Sequence, residues 1–400
     1  MKRIIMWFWA ALFCIVLLIW NARAYLPVTN SETSLAQLRF LSAKLKTGTA
    51  EEMQRIFPEG FFFSWVLYGL ANAQLAAQLE ETHPERPWLI QNALESITQL
   101  ESKAGSSIFP IELKPPYGAF YNGWLLYLQG QTIRAIGVSK TNQALLERFE
   151  RGCQALATEF EQSQAPFLQS YTYLAWAADN AIAIGALGIH DQILKPKFKN
   201  TIQNWVQKVK PLLEPPLRTL AHRSDYLSGK TDETSRGSSL AMMILALAHA
   251  DPAFAKTQYE ALREHFFATP LGIPAILEYP RGSSGNGDVD SGPIILGFSG
   301  PSIIVGMGAA IAMNDLQTAK VLNGFVETGG LATAFFGQRA YLFGALPIGD
   351  AFLVWVRTMT PQTKLEWQPI LPAFWAWGLH LISLLFLARV GIGLRKNTRK

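Results

Sequence analysis

The sequence predicts an all-α chain: an (α/α)6 toroid of six helical hairpins closed into a ring, flanked by N- and C-terminal transmembrane helices. Three observations carry this expectation. Uncharged helical stretches alternate six times with amphipathic ones, no strong period-2 strand interrupts them, and each end of the 400-residue chain sets an apolar run beside cations. A helix that is apolar all round must be buried on every side, whereas one with a polar face lies outside it. Composition agrees, with 49% of residues hydrophobic and 16% charged, against roughly 25% charged in an ordinary soluble domain.

At the N-terminus, "MKRIIMWFWAALFCIVLLIWNARAY" has a basic start and then an uncharged run from Ile4 to Asn21. That length is near the lower limit of a spanning helix. Ala22-Arg23-Ala24 also fits a small-x-small cleavage site, so residues 1–24 are read as a membrane anchor or a signal peptide. The body, 25–360, alternates amphipathic stretches (34–55, 88–103, 142–161, 191–213, 252–267, 316–326) with apolar ones (60–79, 119–136, 173–187, 238–250, 293–313, 339–356). Interleaved, they make six hairpins, each an outer helix followed by an inner one.

The fifth apolar stretch lies in a run without charge, 291–314, long enough to cross a bilayer. Pro293, Gly297, Gly300, Pro301, Gly306 and Gly308 interrupt it. Each interior glycine costs a helix roughly 1 kcal/mol relative to alanine, and no cationic cluster flanks the run, so it is read as a closely packed inner helix. At the C-terminus, 368–388 is uncharged apart from His380, read as a neutral, protein-facing group, and 389–400 is a basic tail. The positive-inside rule then places both termini in the cytoplasm and the body outside, on the periplasmic side of the cell membrane.

Connections after the apolar helices are short ("VSKT", "GIHD", "ADPA", "MNDL"), while those before them include the long 104–118, 214–237 and 268–292. Long ordered loops tend to be functional. All of them gather at one mouth, where the inner helices present N-termini ready for anions or polarised oxygens. That is where a site is expected.

Candidate residues follow loop by loop. The first long loop supplies Tyr117, Tyr121 and Trp124, whose rings suit sugars or other flat, hydroxylated ligands but serve equally well as wall packing. "QSYTYLAWAADNA" adds Tyr171, Trp176, Asp179 and Asn180; a carboxylate in so apolar a run is costly unless paired or hydrogen-bonded. The third loop offers Asp225, Glu233 and Arg236. The fourth, "ILEYPRGSSGNGDVDSGP", offers Glu278, Arg281, Asp288 and Asp290. Asp290 reads as a helix cap ahead of Pro293; Asp288 has no such reading. Asp-x-Asp-x-Gly resembles part of a calcium loop, but the further ligands and closing Glu are missing. Asp179, Glu233, Asp288 and Asp290 are therefore the candidate catalytic acids and bases, with Arg236 and Arg281 placed to bind anionic groups or tune them.

Other chemistries find no support. There is no nucleophile elbow, phosphate loop, zinc motif or nicotinamide fingerprint, so no cofactor and no metal are expected. The net charge of +5 comes largely from the two ends, leaving no basic face for nucleic acid. Two cysteines, Cys14 and Cys153, build neither a disulfide framework nor a metal site.

The six-hairpin rhythm over 34–356, with acidic and aromatic residues before the inner helices, resembles the six-hairpin glycosidase superfamily. Two segments, "YTYLAWAADNAIAIGAL" and "GDVDSGPIILGFSGPSIIVGMGAAIAMND", also resemble linalool dehydratase/isomerase, another (α/α)6 toroid. That resemblance implies chemistry on a terpene alcohol with cysteines on the first segment, which here has none. The expected function is a membrane-anchored extracytoplasmic protein that binds an envelope carbohydrate, with hydrolysis as the candidate reaction. The alternatives are a non-catalytic scaffold and a lyase or isomerase of the linalool type.

Overall fold

The computed structural model describes residues 2–27, 30–359 and 374–398. Six helices make an inner wall: α4 (Gly60–Gln78), α7 (Gly118–Ile136), α9 (Ala177–Ile193), α11 (Gly237–Ala250), α13 (Gly300–Ala312) and α15 (Pro347–Arg357). Each packs on the next, and α15 packs back on α4, closing the ring. Outside them lie α2 (Ser31–Leu45) with short α3 (Thr49–Ile56), α5 (Arg86–Leu100) with one-turn α6 (Lys103–Ser106), α8 (Gln143–Gln162), α10 (Lys199–Val209), α12 (Pro252–His265) and α14 (Leu316–Gly329). The toroid expected from the sequence is present.

Burial explains the division. In α4 nearly the whole length from Gly60 to Ala76 is buried, so an uncharged sequence is the one that fits. In α8 only Leu145, Phe149, Cys153, Leu156, Ala157 and Phe160 are buried. They fall at helical spacing on one stripe, and the charged residues between them face water. Inner helices approach closely where glycine permits. A Cβ on Gly188 of α9 would lie 2.4 Å from the carbonyl of His249 on α11. Outer helices start on side-chain caps, as where Asn142, Asp251 and Asp315 accept backbone N–H groups.

The seam between first and last elements is polar. Gln37 of α2 donates to Asp350 of α15 at 2.8 Å, and Gln78 of α4 donates to the Thr358 carbonyl at 2.5 Å. Behind it, Glu327 accepts from Arg357 at 2.7 Å, from the Tyr341 hydroxyl at 2.6 Å, and from Arg339.

Four boundaries differ from the sequence reading. The fourth outer helix begins at Lys199, not at 191, because α9 continues through the expected "GIHD" connection to Ile193. The third, fifth and sixth inner helices begin at Ala177, Gly300 and Pro347, inside the apolar stretches that start at 173, 293 and 339. The chain before them is loop and short strand. β1 (Ala175–Trp176), β2 (Arg223–Ser224) and β3 (Thr231–Glu233) pair antiparallel, as do β4 (Phe267–Ala268) with β5 (Ala275–Ile276) and β6 (Thr333–Phe335) with β7 (Gln338–Ala340). All stand at the mouth.

The flanking transmembrane helices are corrected. Among the described residues no helix is long and apolar enough to cross a membrane. The uncharged run in α1 (Lys2–Arg23), Ile4 to Asn21, is about 27 Å of helix at 1.5 Å per residue, short of a roughly 30 Å hydrocarbon core. In α16 (Phe374–Thr398) the apolar run is broken by His380, Ser383 and Arg389. The part of the expected C-terminal span at 368–373 and the end of the tail at 399–400 lie outside the described residues. α1 and α16 pack antiparallel, joined by Asn21 donating to Ser383 at 2.8 Å and by His380 between Tyr25 and Asn21, at 2.5 Å from each.

Candidate active site

The connections into the inner helices converge at one end of the ring. Glu59, the residue before α4, accepts the Tyr171 hydroxyl. Asp179 sits in the first turn of α9 and is buried. Asp290 lies in the connection before α13. These three carboxyls feel one another. Burial pushes Asp179 up to about 7, helped by the Glu59 and Asp290 charges and opposed by a hydrogen bond from Ser170. Withdrawal from water, with Glu59 and Asp288 nearby, pushes Asp290 up to about 6, although the residue as a whole is exposed at the rim. Among the described residues the Asp290 carboxyl makes no hydrogen bond. Burial and the same carboxylates also raise the Tyr171 hydroxyl, which stays a donor.

Asp288 is occupied by structure instead. One of its oxygens accepts the Asp290 and Ser291 N–H groups at 3.1 and 2.8 Å, and the other pairs with Arg236. Burial works to raise this carboxyl, but the Ser291 bonds and Arg236 outweigh it and hold it below the usual range. The cap expected at Asp290 is supplied by Ser299, whose side chain accepts the Ser302 N–H. Asp288 makes the turn that leaves Asp290 free.

Arg236 precedes α11, is buried, and stacks on Tyr279 at 5.5 Å. Its Nε lies 3.6 Å from Glu278, and neither Nε nor Nη2 has a hydrogen-bond partner among the described residues. Glu278 is fully buried and ties two inner helices together. It accepts Ser238 of α11 at 2.8 Å and the Ser299 cap of α13 at 2.6 Å. Gly237 makes this approach possible, since a Cβ there would fall 1.9 Å from the Leu277 carbonyl. His222, buried beside Arg236, contacts Ser239 at 2.6 Å. Burial and the arginine push its imidazole down to about 4, so it is neutral at neutral pH.

The remaining expected residues divide by position. Trp176 is the residue before α9, with its ring near Arg223, and Tyr171 packs edge-on against it at 5.6 Å; both are partly exposed. Asn180 is fully buried and clamps Leu168 through both its N–H and its carbonyl. Tyr121 and Trp124 belong to the core: the Tyr121 hydroxyl donates to the Leu100 carbonyl at 3.2 Å, and Trp124 packs on Trp355. Tyr117 is the residue before α7, without a capping bond, and packs on Tyr121. Glu233 pairs with Arg223 at 2.6 Å, and Asp225 makes the β2–β3 turn by accepting from Ser228. Arg281 turns away and donates to the Glu264 carbonyl at the end of α12. Cys153 is buried on α8, where burial pushes its thiol up. Among the described residues no group of acids, histidines and cysteines could hold a metal ion.

Sequence reasoning missed Glu59. Its only signal was an acidic residue, after Pro58, directly before a helix that is apolar all round.

No family model and no curated protein matches this sequence. Solved structures do. An unsaturated glucuronyl hydrolase specific for heparin superposes with a TM-score of 0.53 at 12% identity, covering 82% of this chain and 95% of its own. A GH76 α-mannanase from Bacteroides thetaiotaomicron aligns at a TM-score of 0.44 and 9% identity, over 74% of this chain and 85% of that one. A polysaccharide lyase aligns at 0.40 and 13%, over 79% and 97%. The first of these shares the overall fold, a six-hairpin glycosidase-like toroid; a likeness to linalool dehydratase/isomerase is not shown.

Proposed function

We propose that the mouth is the active site of a carbohydrate-processing enzyme that hydrolyses a glycosidic bond by carboxyl acid–base chemistry. One observation carries the reading: Glu59 before α4, Asp179 in the first turn of α9 and Asp290 in the connection before α13 converge electrostatically on Tyr171, whose hydroxyl Glu59 accepts, and two of them are held near neutrality. Asp179, protonated up to about pH 7, donates its proton to the leaving oxygen. Asp290, which ionises near pH 6, takes a proton from the attacking water. Glu59, with the Tyr171 hydroxyl upon it, is the third carboxyl at the bond. Two carboxyls with different working protonation states are what glycoside hydrolysis needs. Tyr171 and Trp176 offer partly exposed rings for a sugar face. A fold shared with a glucuronyl hydrolase is in keeping with this chemistry, although fold alone does not assign it.

The charge at the mouth selects among sugars. Glu59, Asp179, Glu278, Asp288 and Asp290 stand against one buried guanidinium, Arg236, already beside two of them. A polyanionic glycan would meet repulsion, whereas a neutral one would not. We place the substrate in the cell envelope, on the export signal read at residues 1–24, and the exposed apolar side chains of α1 and α16 support contact with a lipid phase.

Turnover should be screened on neutral, amino and uronate oligosaccharides with Asp179→Asn and Asp290→Asn alongside. General acid or base catalysis contributes about 10²–10⁴-fold, so each variant should lose about that much on a neutral substrate. Turnover unchanged in both variants would rule the assignment out.

A further inference from the structure

The exposed apolar side chains are distributed on one side only. Within 30–359, every large apolar side chain that is exposed among the described residues lies at, or in, a connection leading into an inner helix. Phe336 is fully exposed and Leu271 is 84% exposed; Phe335, Phe343, Ile295 and Leu296 join them. Among the described residues of 30–359, the opposite end, where the inner helices finish, has none. Scattered exposed leucines need no explanation, but a complete segregation to the functional end does.

The backbone is bent to achieve it. Leu271, Leu296, Phe336 and Phe343 all have positive φ, at 51°, 54°, 47° and 57°. Bulky residues rarely adopt this left-handed conformation. Such strain persists where the surrounding structure enforces it, and it clusters at functional surfaces.

The terminal helices leave from this same end. The Trp20 indole donates to the Thr328 carbonyl in the last turn of α14 at 3.0 Å, and α16 rests on the 270–272 turn. Outer helices finish at the mouth, so both contacts are at the rim. Beyond it, α1 and α16 carry exposed Trp7, Phe8, Trp9, Leu384 and Leu385, continuing the apolar surface outward.

We infer that the rim of the mouth docks on a phospholipid surface, and that the substrate is a glycan carried on a lipid and presented from that surface. The second clause rests on the hydrolase reading above; the first does not. Apolar tips on separate loops, with polar chain between them, suit a fluid phase that adapts to each tip. A rigid partner would call for a continuous complementary patch. Apolar side chains of this kind sink roughly 5–10 Å into the headgroup boundary, and that geometry needs no helix to span the bilayer. It sets Asp179 and Asp290 facing the headgroups, where a lipid-borne sugar would stand and a soluble one would have to squeeze in.

The full chain, with Cys14→Ser and the buried Cys153 kept, is reconstituted on phosphatidylcholine–phosphatidylglycerol vesicles. Single cysteines at Phe336→Cys, Phe343→Cys and Leu271→Cys, and at Ser139→Cys on the opposite end, carry an environment-sensitive fluorophore. Brominated lipid should quench the three rim labels by about two-fold or more and leave the label at 139 unchanged, as expected for partial insertion. A Phe335→Asp, Phe336→Asp double variant should relieve quenching at 271. Equal quenching at 336 and 139, or none at the rim, overturns the inference. So does 336-to-336 cross-linking between copies without lipid, which would assign the face to a second copy. The quenching readout is independent of catalysis. Efficient turnover of soluble glycans with an unquenched rim sinks the lipid reading alone, and rim quenching with no turnover of any glycan sinks the hydrolase reading alone.

Discussion

Asp179→Asn should stabilise the folded protein at alkaline pH while removing its proposed acid. The carboxyl is raised from 3.8 to about 7, first by burial and then by the Glu59 and Asp290 charges. A carboxyl in the unfolded chain ionises near its ordinary value, about 3.9. Below about pH 4 both states hold the proton and nothing is lost. Between about 4 and 7 the unfolded state has released it and the folded state has not, so stability falls as pH rises. Above about 7 the folded state carries the full penalty. Three pKa units at about 1.4 kcal/mol each set an upper bound near 4 kcal/mol, and because the neighbouring acids share the repulsion we expect about 2–4 kcal/mol. Asparagine has nearly the same shape, can still accept from Ser170, and has no proton to lose. For a domain of this size that is ~3–6 °C in Tm. Thermal unfolding of both proteins from pH 4 to 8.5 is the assay: the curves should meet at pH 4 and separate, variant above wild type, by pH 8.5. Parallel profiles, or a less stable variant at pH 8.5, would refute the reasoning.

Three further outcomes are expected. Turnover should rise as Asp290 ionises near pH 6 and fall as Asp179 ionises near pH 7, and Asp290→Asn should abolish the acidic limb; a wild-type profile flat from pH 5 to 8 counts against both roles. Glu327→Ala strands buried Arg357 beside Arg339 without a carboxylate and should cost about 3–5 kcal/mol, read as a lower urea midpoint; an unchanged midpoint would show that the cluster does not hold the last hairpin. Gly237→Ala puts a Cβ 1.9 Å from the Leu277 carbonyl and should cost about 1–3 kcal/mol through forced backbone shifts, with faster amide exchange at the start of α11, where the Gly237 N–H donates to the Glu278 backbone carbonyl at 2.9 Å; wild-type protection there would mean that this bond is not the constraint.

The ring was legible because burial on all sides and burial on one side leave different sequences. α4 can be GFFFSWVLYGLANAQLAAQ only if nothing around it is water, and α8 must keep its charges on one face. The starts of inner helices were illegible for a related reason. Ile294–Phe298 and Leu342–Phe343 are apolar like the helices they precede, yet they stand outside the ring, several of them exposed. Apolarity marks contact with something other than water; it does not say whether that is a core. The same ambiguity let the terminal runs pass for spans. Within the site, Asp179 could be seen as a lone acid in an apolar run, but the exchange of roles between Asp288 and Asp290 turns on a loop conformation that composition does not encode. Glu59 was hidden because an acid before a helix is ordinarily a cap, and here its side chain makes no cap bond.

The inner-helix N-termini were expected to attract anions, and the energies explain why the mouth is nonetheless a proton-holding site. A helix N-terminus favours a nearby negative charge by roughly 0.3–1 kcal/mol, and the Ser170 hydrogen bond acts in the same direction on Asp179. Both would lower its pKa. Burial and two neighbouring carboxylates shift it the other way, by about three units to about 7, which is several-fold larger. The positive ends of the helices are thus already answered by the protein's own acids, and Arg236 is already beside Asp288 and Glu278. A ligand that brought further negative charge would drive Asp179 and Asp290 higher still and protonate the intended base. One that brought an amine would lower both and discharge the intended acid. A neutral sugar leaves the two carboxyls on opposite sides of their titration, and that is the condition under which one can give a proton while the other takes one.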